Sequence, residues 1–172
     1  GLNDRGLTGV KLVISDAHAG LVKAIGRSFQ GSTWQRCRVH AMRNMLSAAP
    51  HPQRQLIASL IRTIFVQPDH DRAVIQLRAV VDQLEPTAPG VAKRLADMEA
   101  DLLAYTGFPP AHWSKIWSNN PIERLNRELK RRTDVVGVFP NPAALLRLAG
   151  AILIESHDEW QVSDRRYLSE GS

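Results

Sequence analysis

The sequence predicts an α/β fold that is mostly helical, because two short strands are outnumbered by helical periodicities. Val10 to Ser15 is an apolar, β-branched run that follows a Gly, and Thr33 to Val39 is predicted as the next strand with Trp34 turned inward. Most of the remaining chain repeats apolar residues every three or four positions, which is typical of helices. A sheet usually needs three or more strands, or substantial helix cover, to be stable. If an earlier strand is missing, one edge of this two-stranded sheet has unpaired backbone groups.

Asp16 lies where the first predicted strand gives way to a helix. Leu21, Ile25 and Phe29 are spaced by four, which predicts a helix over 17–29. Ligands bind at the carboxyl ends of strands in open α/β sheets. Asp16 is therefore either a ligand-binding carboxylate or the cap of this helix, and the segment alone favours neither.

The second predicted strand leads into a Cys-x-x-His pair, Cys37 and His40. Their spacing is that of half a zinc site, but the chain has one Cys and no second clustered pair, which argues against a structural zinc. The alternative is a buried Cys beside a His that hydrogen-bonds to backbone or to a carboxylate. As a metal motif the pair is weak, and helix is expected to follow His40.

The middle of the chain, 46–111, is predicted to be an all-helical insertion. Helices are predicted over 53–66, 73–84 and 91–105, with inward positions that include Leu56, Leu60, Ile64, Leu77, Val80, Leu84, Leu95, Met98 and Leu102. Pro-Thr-Ala-Pro-Gly at 86–90 is the clearest linker. The predicted domains are thus 1–45 with the sheet, the insertion 46–111, and 112–172 with the last helices.

A basic helix that carries one carboxylate in its first turn is predicted from 118–132. Asn120 is its expected cap, Pro121 its first residue, and Ile122, Leu125 and Leu129 form its apolar stripe. Glu123 shares a neighbouring face with Asn126, Arg127 and Lys130. An acid among bases indicates a metal-binding carboxylate beside a polyanion. The alternative is a capping box in which Glu123 reaches back to Asn120, and on this segment alone a cap is the commoner use.

After an extended turn at 135–140, a last helix is predicted from Pro142 to Glu155. Asn141 is its expected cap. The residues expected to face inward are Leu145, Leu148, Ile152 and Leu153.

The charge balance favours a polyanionic partner. Lys plus Arg number 22 against 17 acids, the net charge is +5 and the pI is about 9.9, as in proteins that bind phosphate backbones. The cations cluster on the basic helix and around the Cys-His pair: Arg124, Arg127, Lys130, Arg131, Arg132, and Arg36, Arg38, Arg43. The alternative for either cluster is a solvated face.

Neither a membrane nor a small-molecule substrate is predicted as a partner. The sequence contains no run of 18 apolar residues and no signal-like segment. A single Cys suits a reducing cytoplasm.

Five blocks in order carry a family resemblance. They are Ser-Asp-Ala-His-Ala-Gly-Leu (15–21), Trp-Gln-Arg-Cys-Arg-Val-His-Ala-Met-Arg-Asn (34–44), the stretch 112–132 around Asn-Asn-Pro-Ile-Glu-Arg, Val-Val-Gly-Val-Phe-Pro-Asn (135–141) and Asp-Glu-Trp-Gln-Val-Ser-Asp-Arg-Arg-Tyr (158–167). From about residue 5 to about residue 168 the chain resembles the mutator-type transposases of bacterial insertion sequences.

The resemblance implies a ribonuclease-H-like catalytic fold with an Asp, Asp, Glu triad. By motif, Asp16 matches the second Asp, Glu123 matches the Glu, and Cys37 and His40 match the family's Cys-x-x-His motif. It further implies DNA cleavage and strand transfer with two Mg²⁺ or Mn²⁺ ions about 4 Å apart, with Asp16 and Glu123 as metal ligands within about 10 Å of each other. Expected partners are the element ends and the target DNA, with a homo-oligomer left open, in the bacterial cytoplasm at the nucleoid.

The departure from the family pattern concerns the first acid. In the family it lies on an earlier strand, whereas fifteen residues precede Asp16 here and Asp4 is a poor substitute. We therefore expect the C-terminal part of a transposase, with the first strands missing and inactive by itself. The alternative is a non-catalytic DNA-binding or oligomerisation remnant that interferes with an intact transposase.

Overall fold

A two-stranded parallel sheet lies near the start of the chain, and helices make up most of the rest. The computed structural model describes residues 1–162. Strand β1 is Leu12–Ser15 and strand β2 is Thr33–Arg36, in a register that sets Leu12 opposite Thr33 and Ser15 opposite Arg36. Helix α1, Ala19–Ser28, connects them, since parallel strands require a crossover. The prediction of a mostly helical chain around a small sheet is confirmed.

The second strand is shorter than predicted, and the residues after it are helical. Helix α2, Arg38–Ser47, begins directly after Cys37, so the prediction of strand as far as Val39 is wrong. Cys37, Ala41 and Met45 are all buried. This spacing of four residues is that of a helix, and it outweighs the strand preference of individual residues such as Val39. In β2 the buried side chain is that of Gln35, whereas Trp34 is half-buried.

The helices of the middle segment share one hydrophobic core with α2. They are α3 (Arg54–Arg62), α4 (His70–Leu84), α5 (Pro89–Asp97), α6 (Glu99–Leu102) and α7 (Trp113–Ile116). Short 3₁₀ turns occupy 51–53, 63–66, 104–107 and 110–112. Buried residues from α2 to α7 form a single cluster. The helix predicted over 91–105 is divided in two, and α5 starts at Pro89, inside the predicted linker.

The predicted inward stripes are partly displaced. In α3 the buried residues are Ile57, Ala58 and Ile61, whereas Leu56 is 63% exposed, because a one-residue offset rotates a helical position by about 100°. Ile64, just beyond α3, is buried as predicted. The stripe of α4 is as predicted, with Leu77, Val80 and Leu84 buried.

Hydrogen bonds from β2 join the sheet to the middle segment. The Gln35 Nε2 donates to the carbonyl oxygen of Leu102 at 3.0 Å, and its Oε1 accepts from the backbone N–H of Tyr105 at 2.6 Å. Arg36 Nη2 donates to the carboxylate of Asp101 at 2.8 Å. The short sheet is thus covered by helical segments, which two strands need for stability.

The chain divides into two compact units, Gly1–Ser118 and a second that begins at Asn119. The second contains α8 (Asn120–Val136) and α9 (Pro142–Val162). Gly137, with φ of +71°, ends α8, and such a backbone angle favours glycine. The predicted three-part division at 45/46 and 111/112 stays a prediction.

Helix α9 starts as predicted and ends later than predicted. The Asn141 Oδ1 accepts from the backbone N–H of Ala144 at 2.9 Å, which confirms the cap. Ile152 is buried, but Leu145 and Leu153 are 39% and 44% exposed, so their inward placement is wrong. Residues 163–167 of the last motif block lie outside the described residues.

Within residues 1–162 no helix has the length and apolar character that crossing a membrane requires.

Candidate functional site

Asp16 lies immediately after β1 with its carboxylate 56% exposed. The N-cap of α1 is His18 rather than Asp16, so the capping alternative for Asp16 does not hold. The carboxylate Oδ1 accepts a hydrogen bond from the backbone N–H of Ala17 at 3.0 Å. This bond orients the group while leaving acceptor sites on both oxygens.

The strand ends around Asp16 are fixed by Ser15. Its carbonyl oxygen accepts from the backbone N–H of Cys37 at 2.8 Å, and its hydroxyl accepts from the indole Nε1–H of Trp34 at 2.9 Å. These bonds tie the end of β1 to the end of β2 and to the start of α2. The position of the Asp16 backbone therefore follows from the sheet register.

The structure brings Cys37 and His40 to the same strand end as Asp16. Cys37 is fully buried as the N-cap residue of α2, and His40 lies on the first turn of that helix. The His40 Nε2 is 3.9 Å from the Asp16 Oδ2, with the imidazole side chain 21% exposed. This distance is too long for a direct hydrogen bond.

Glu123 lies on the first turn of α8, and its side chain is half-buried. The helix begins at Asn120 with Asn119 as N-cap residue, and the Asn119 side chain makes no capping hydrogen bond. The prediction of Asn120 as the cap is therefore wrong by one residue. Glu123 is the fourth residue of the helix, whereas a capping box has its acid at the third.

The five cations of α8 fall into two groups. Arg131 and Arg132 both donate to the Glu128 carboxylate, each with a shortest distance of 2.7 Å, and Arg132 also pairs with Glu155. Hydrogen bonds from Arg131 and Arg132 lower the pKa of Glu128 to about 2. The remaining cations are exposed and make no ion pair within the described part of the chain: Arg124, Arg127 and Lys130.

The three arginines around the Cys-His pair also differ. Arg36 is held by Asp101 and lies 5.2 Å from the centre of the Trp34 ring. Arg38 lies over the rings of Trp117 and Phe65. Arg43 is exposed on α2, with no ion pair to any described residue.

An aromatic cluster beneath Arg38 was not predicted as a unit. Tyr105 packs edge to face against Trp113 and Trp117, with ring centres 5.3 and 5.9 Å apart. Trp113 is buried, so its ring packs in the core. The one-turn spacing of the two tryptophans was the available sequence signal, but Tyr105 and Arg38 are brought to them only by the fold.

Asp16 belongs to the first unit and Glu123 to the second. Their approach to within about 10 Å, which two metal ions would require, stays a prediction.

The family described as "Transposase, Mutator family" matches residues 1–163. The chain is 52% identical over 164 residues to the transposase for insertion sequence element IS1081 of Mycobacterium tuberculosis, covering 95% of this chain and 39% of that protein. It is 39% identical over 170 residues to the transposase for IS256 in transposon Tn4001 of Staphylococcus aureus, covering 98% and 43%. The chain thus spans about two fifths of the length of these relatives.

Proposed function

The chain belongs to the Mutator family of transposases, and we propose from this that it acts in the transposition of an insertion element by cutting and joining DNA. The observation that carries the proposal is the exposed Asp16 carboxylate at a strand end, beside His40 and outside the cap of α1. Ligand-binding groups of α/β sheets occupy this position. A ribonuclease-H-like arrangement of the catalytic acids is part of the same proposal.

Asp16 and Glu123 are proposed as ligands of Mg²⁺ or Mn²⁺. Their carboxylate oxygens suit hard divalent cations, which keep several waters and need few protein ligands. The Asp16 carboxylate fits this role because the Ala17 N–H orients it without occupying all its acceptor sites. Two such ions, when bound, activate the attacking oxygen and stabilise the leaving oxygen of a phosphodiester. His40 is proposed as a neighbouring group that helps to hold the Asp16 side chain in place.

The exposed cations of α8 are proposed to contact the DNA backbone. Arg124, Arg127 and Lys130 are not neutralised by carboxylates within the described residues, so their charges are available to phosphates. Phosphate contacts supply affinity and salt dependence but little sequence preference. The chain should therefore bind duplex DNA weakly and without a strong sequence preference.

DNA binding is tested by the salt dependence of affinity. Replacing Arg124, Arg127 and Lys130 with Gln should flatten the plot of log affinity against log salt by roughly one unit per lost contact. The matched control replaces three exposed cations of the first unit, Arg5, Lys23 and Arg27, with Gln. An equal loss in both triple variants would show that only net charge matters and that α8 is a solvated face.

The metal ligands are tested one at a time in a chimera. The 164 residues of this chain that match the 52% identical relative replace the corresponding region of that relative, and excision and joining of element ends are measured with Mg²⁺ and with Mn²⁺. Asp16→Asn and Glu123→Gln should each abolish cleavage while DNA binding persists. Glu85→Gln, an exposed acid at the end of α4, is the control and should remain active. Normal cleavage by the Glu123→Gln chimera would remove Glu123 from the proposed site.

A further inference from the structure

The guanidinium of Arg38 is held in place by aromatic rings rather than by an acid. Its Cζ lies 3.7 Å from the centre of the Trp117 ring and 4.7 Å from the centre of the Phe65 ring. The backbone N–H of Arg38 also donates to the carbonyl oxygen of Trp117 at 2.9 Å. A guanidinium stacked on aromatic rings keeps its N–H donors, which lie in its own plane, available to another acceptor.

Arg62 is near enough for its positive charge to act on Arg38. It is the last residue of α3 and precedes Phe65 by three positions, a spacing that makes the two residues neighbours on a helical turn. Partial burial lowers the pKa of Arg38, and the positive charge of Arg62 lowers it further, against an opposing contribution from Tyr105. Arg62 itself is exposed.

Neither Arg38 nor Arg62 has an ion pair with a carboxylate anywhere in residues 1–162. Three other arginines of the first unit do have one: Arg36 with Asp101, Arg72 with Asp69, and Arg78 with Glu99. Two neighbouring guanidiniums without a counter-charge repel each other, and a bound anion would relieve that repulsion. Arg38 thus differs from Arg43, which is exposed and has no ion pair to any described residue, in being stacked on aromatic rings beside a second positive charge.

We propose that Arg38 and Arg62 form a phosphate-binding site that takes one phosphodiester group of a DNA backbone. The planar donor edge of a fixed arginine matches two phosphate oxygens, and Arg62 supplies a second charge. Arg38 lies between Cys37 and His40 in sequence, so the phosphate would bind at the start of α2. The identity of the ligand as DNA rests on the proposed function, whereas the anion site itself does not.

The site is tested first with inorganic phosphate on the full chain. Arginine side-chain Nε–H resonances are followed by NMR during titration at constant ionic strength, with chloride as the reference anion. Phosphate should shift the Arg38 and Arg62 signals in a saturable manner. Arg62→Gln should weaken phosphate binding at Arg38 about tenfold, as loss of one charged hydrogen bond predicts.

Arg27→Gln is the matched control, because Arg27 is an exposed arginine of α1 in the same unit. It should leave the phosphate affinity at Arg38 unchanged. If phosphate shifts Arg38 no more than chloride does, or if Arg62→Gln has no greater effect than Arg27→Gln, the site is overturned and Arg38 is a packing residue only.

The ligand is tested separately with duplex DNA. Arg62→Gln should reduce the salt slope of DNA binding by roughly one unit, and Arg38→Met should do the same while its unbranched side chain still packs on the two rings. Near-ultraviolet dichroism of the tryptophans checks that packing. DNA binding with an unchanged slope and no phosphate response overturns the site but leaves the proposed function standing. A phosphate response in a chain that does not bind DNA supports the anion site and contradicts the proposed function.

Discussion

The amide of Gln35 is fully buried and bonded to backbone groups of the middle segment. Its Nε2 donates to the carbonyl oxygens of Arg36 and Leu102, and its Oε1 accepts from Tyr105. Losing such partners leaves buried polar groups unsatisfied, which costs about 1–3 kcal/mol for each group. Gln35 is therefore the side chain that joins the sheet to its helical cover.

We expect Gln35→Leu to lower the free energy of unfolding by about 2–4 kcal/mol, as measured by urea denaturation. The control is Gln55→Leu, at an exposed position of α3, which should change it by less than about 0.5 kcal/mol. A Gln35→Leu protein as stable as the control would mean that the sheet and the helices do not depend on these bonds.

The phenol of Tyr105 should make stability sensitive to alkaline pH. Burial raises the pKa of Tyr105 to about 12, against the opposing charge of Arg38. Since the folded state favours the neutral phenol, its contribution is complete below the unfolded value of 10 and is lost as the pH rises from 10 to about 12. Tyr105→Phe cannot ionise, so its unfolding free energy should fall less over that range. Parallel pH profiles for the two proteins in urea denaturation would contradict this assignment.

Residues differ in how far the sequence could predict their roles. Asp16 was placed correctly at a strand end, because the apolar run before it and the helical spacing after it are both local signals. Gln35 and Arg38 were not recognised as structural residues, since their partners, such as Leu102 and Trp117, lie more than 60 positions away in sequence. Nothing in the local pattern distinguishes a buried Gln from an exposed one.

Part of the positive charge of helix α8 is paired with carboxylates. Glu128 binds Arg131 and Arg132, and Glu155 on α9 binds Arg132 as well. Two of the five cations in this helix are therefore neutralised locally. Such exposed pairs contribute little to stability, but they reduce the charge that phosphates meet.

We expect Glu128→Gln to release Arg131, while Arg132 keeps Glu155 as a partner. DNA binding should tighten, and its salt slope should steepen by roughly one unit, as measured by fluorescence anisotropy over a range of salt concentrations. Glu159→Gln makes the same change in net charge on α9 and is the control. Equal tightening in the two variants would show a general charge effect rather than release of Arg131.

At the scale of whole elements, long periodic segments were predicted best. The existence of α4, α8 and α9 follows from repeated apolar spacing and their terminal residues. The end of β2 was missed because four residues of strand carry little periodic signal, while the burial of Ala41 and Met45 depends on the core formed by distant helices. The stripe of α3 was displaced by one position for the same reason.

The two units of the molecule differ in the size of their cores. The first contains the continuous cluster formed by α2 to α7, whereas among the described residues from Asn119 onward Ile152 is the one buried hydrophobic side chain. Helices in proteins owe most of their stability to packing of an apolar face. The second unit should therefore open more readily by itself.

Amide hydrogen exchange should resolve this difference. Amides of α4, including those of Leu77 and Val80, should show the slowest exchange, and those of α8 and α9 should exchange faster, because local opening costs less where little apolar surface is buried. Protection measured residue by residue on the same sample provides its own internal control. Equal protection of α4 and α8 would indicate that the chain opens as one cooperative unit.

Because Cys37 is buried, the reactivity of its thiol measures local opening of the chain. It is the single thiol in 172 residues, fully enclosed at the junction of β2 and α2, so a disulfide reagent can reach it only when that junction separates. The reaction rate relative to an unstructured thiol then gives the free energy of separation at the strand end that carries Asp16. Because no other thiol reacts, simple absorbance of the released chromophore suffices, and slower labelling in the presence of DNA would reveal whether the nucleic acid stabilises this junction.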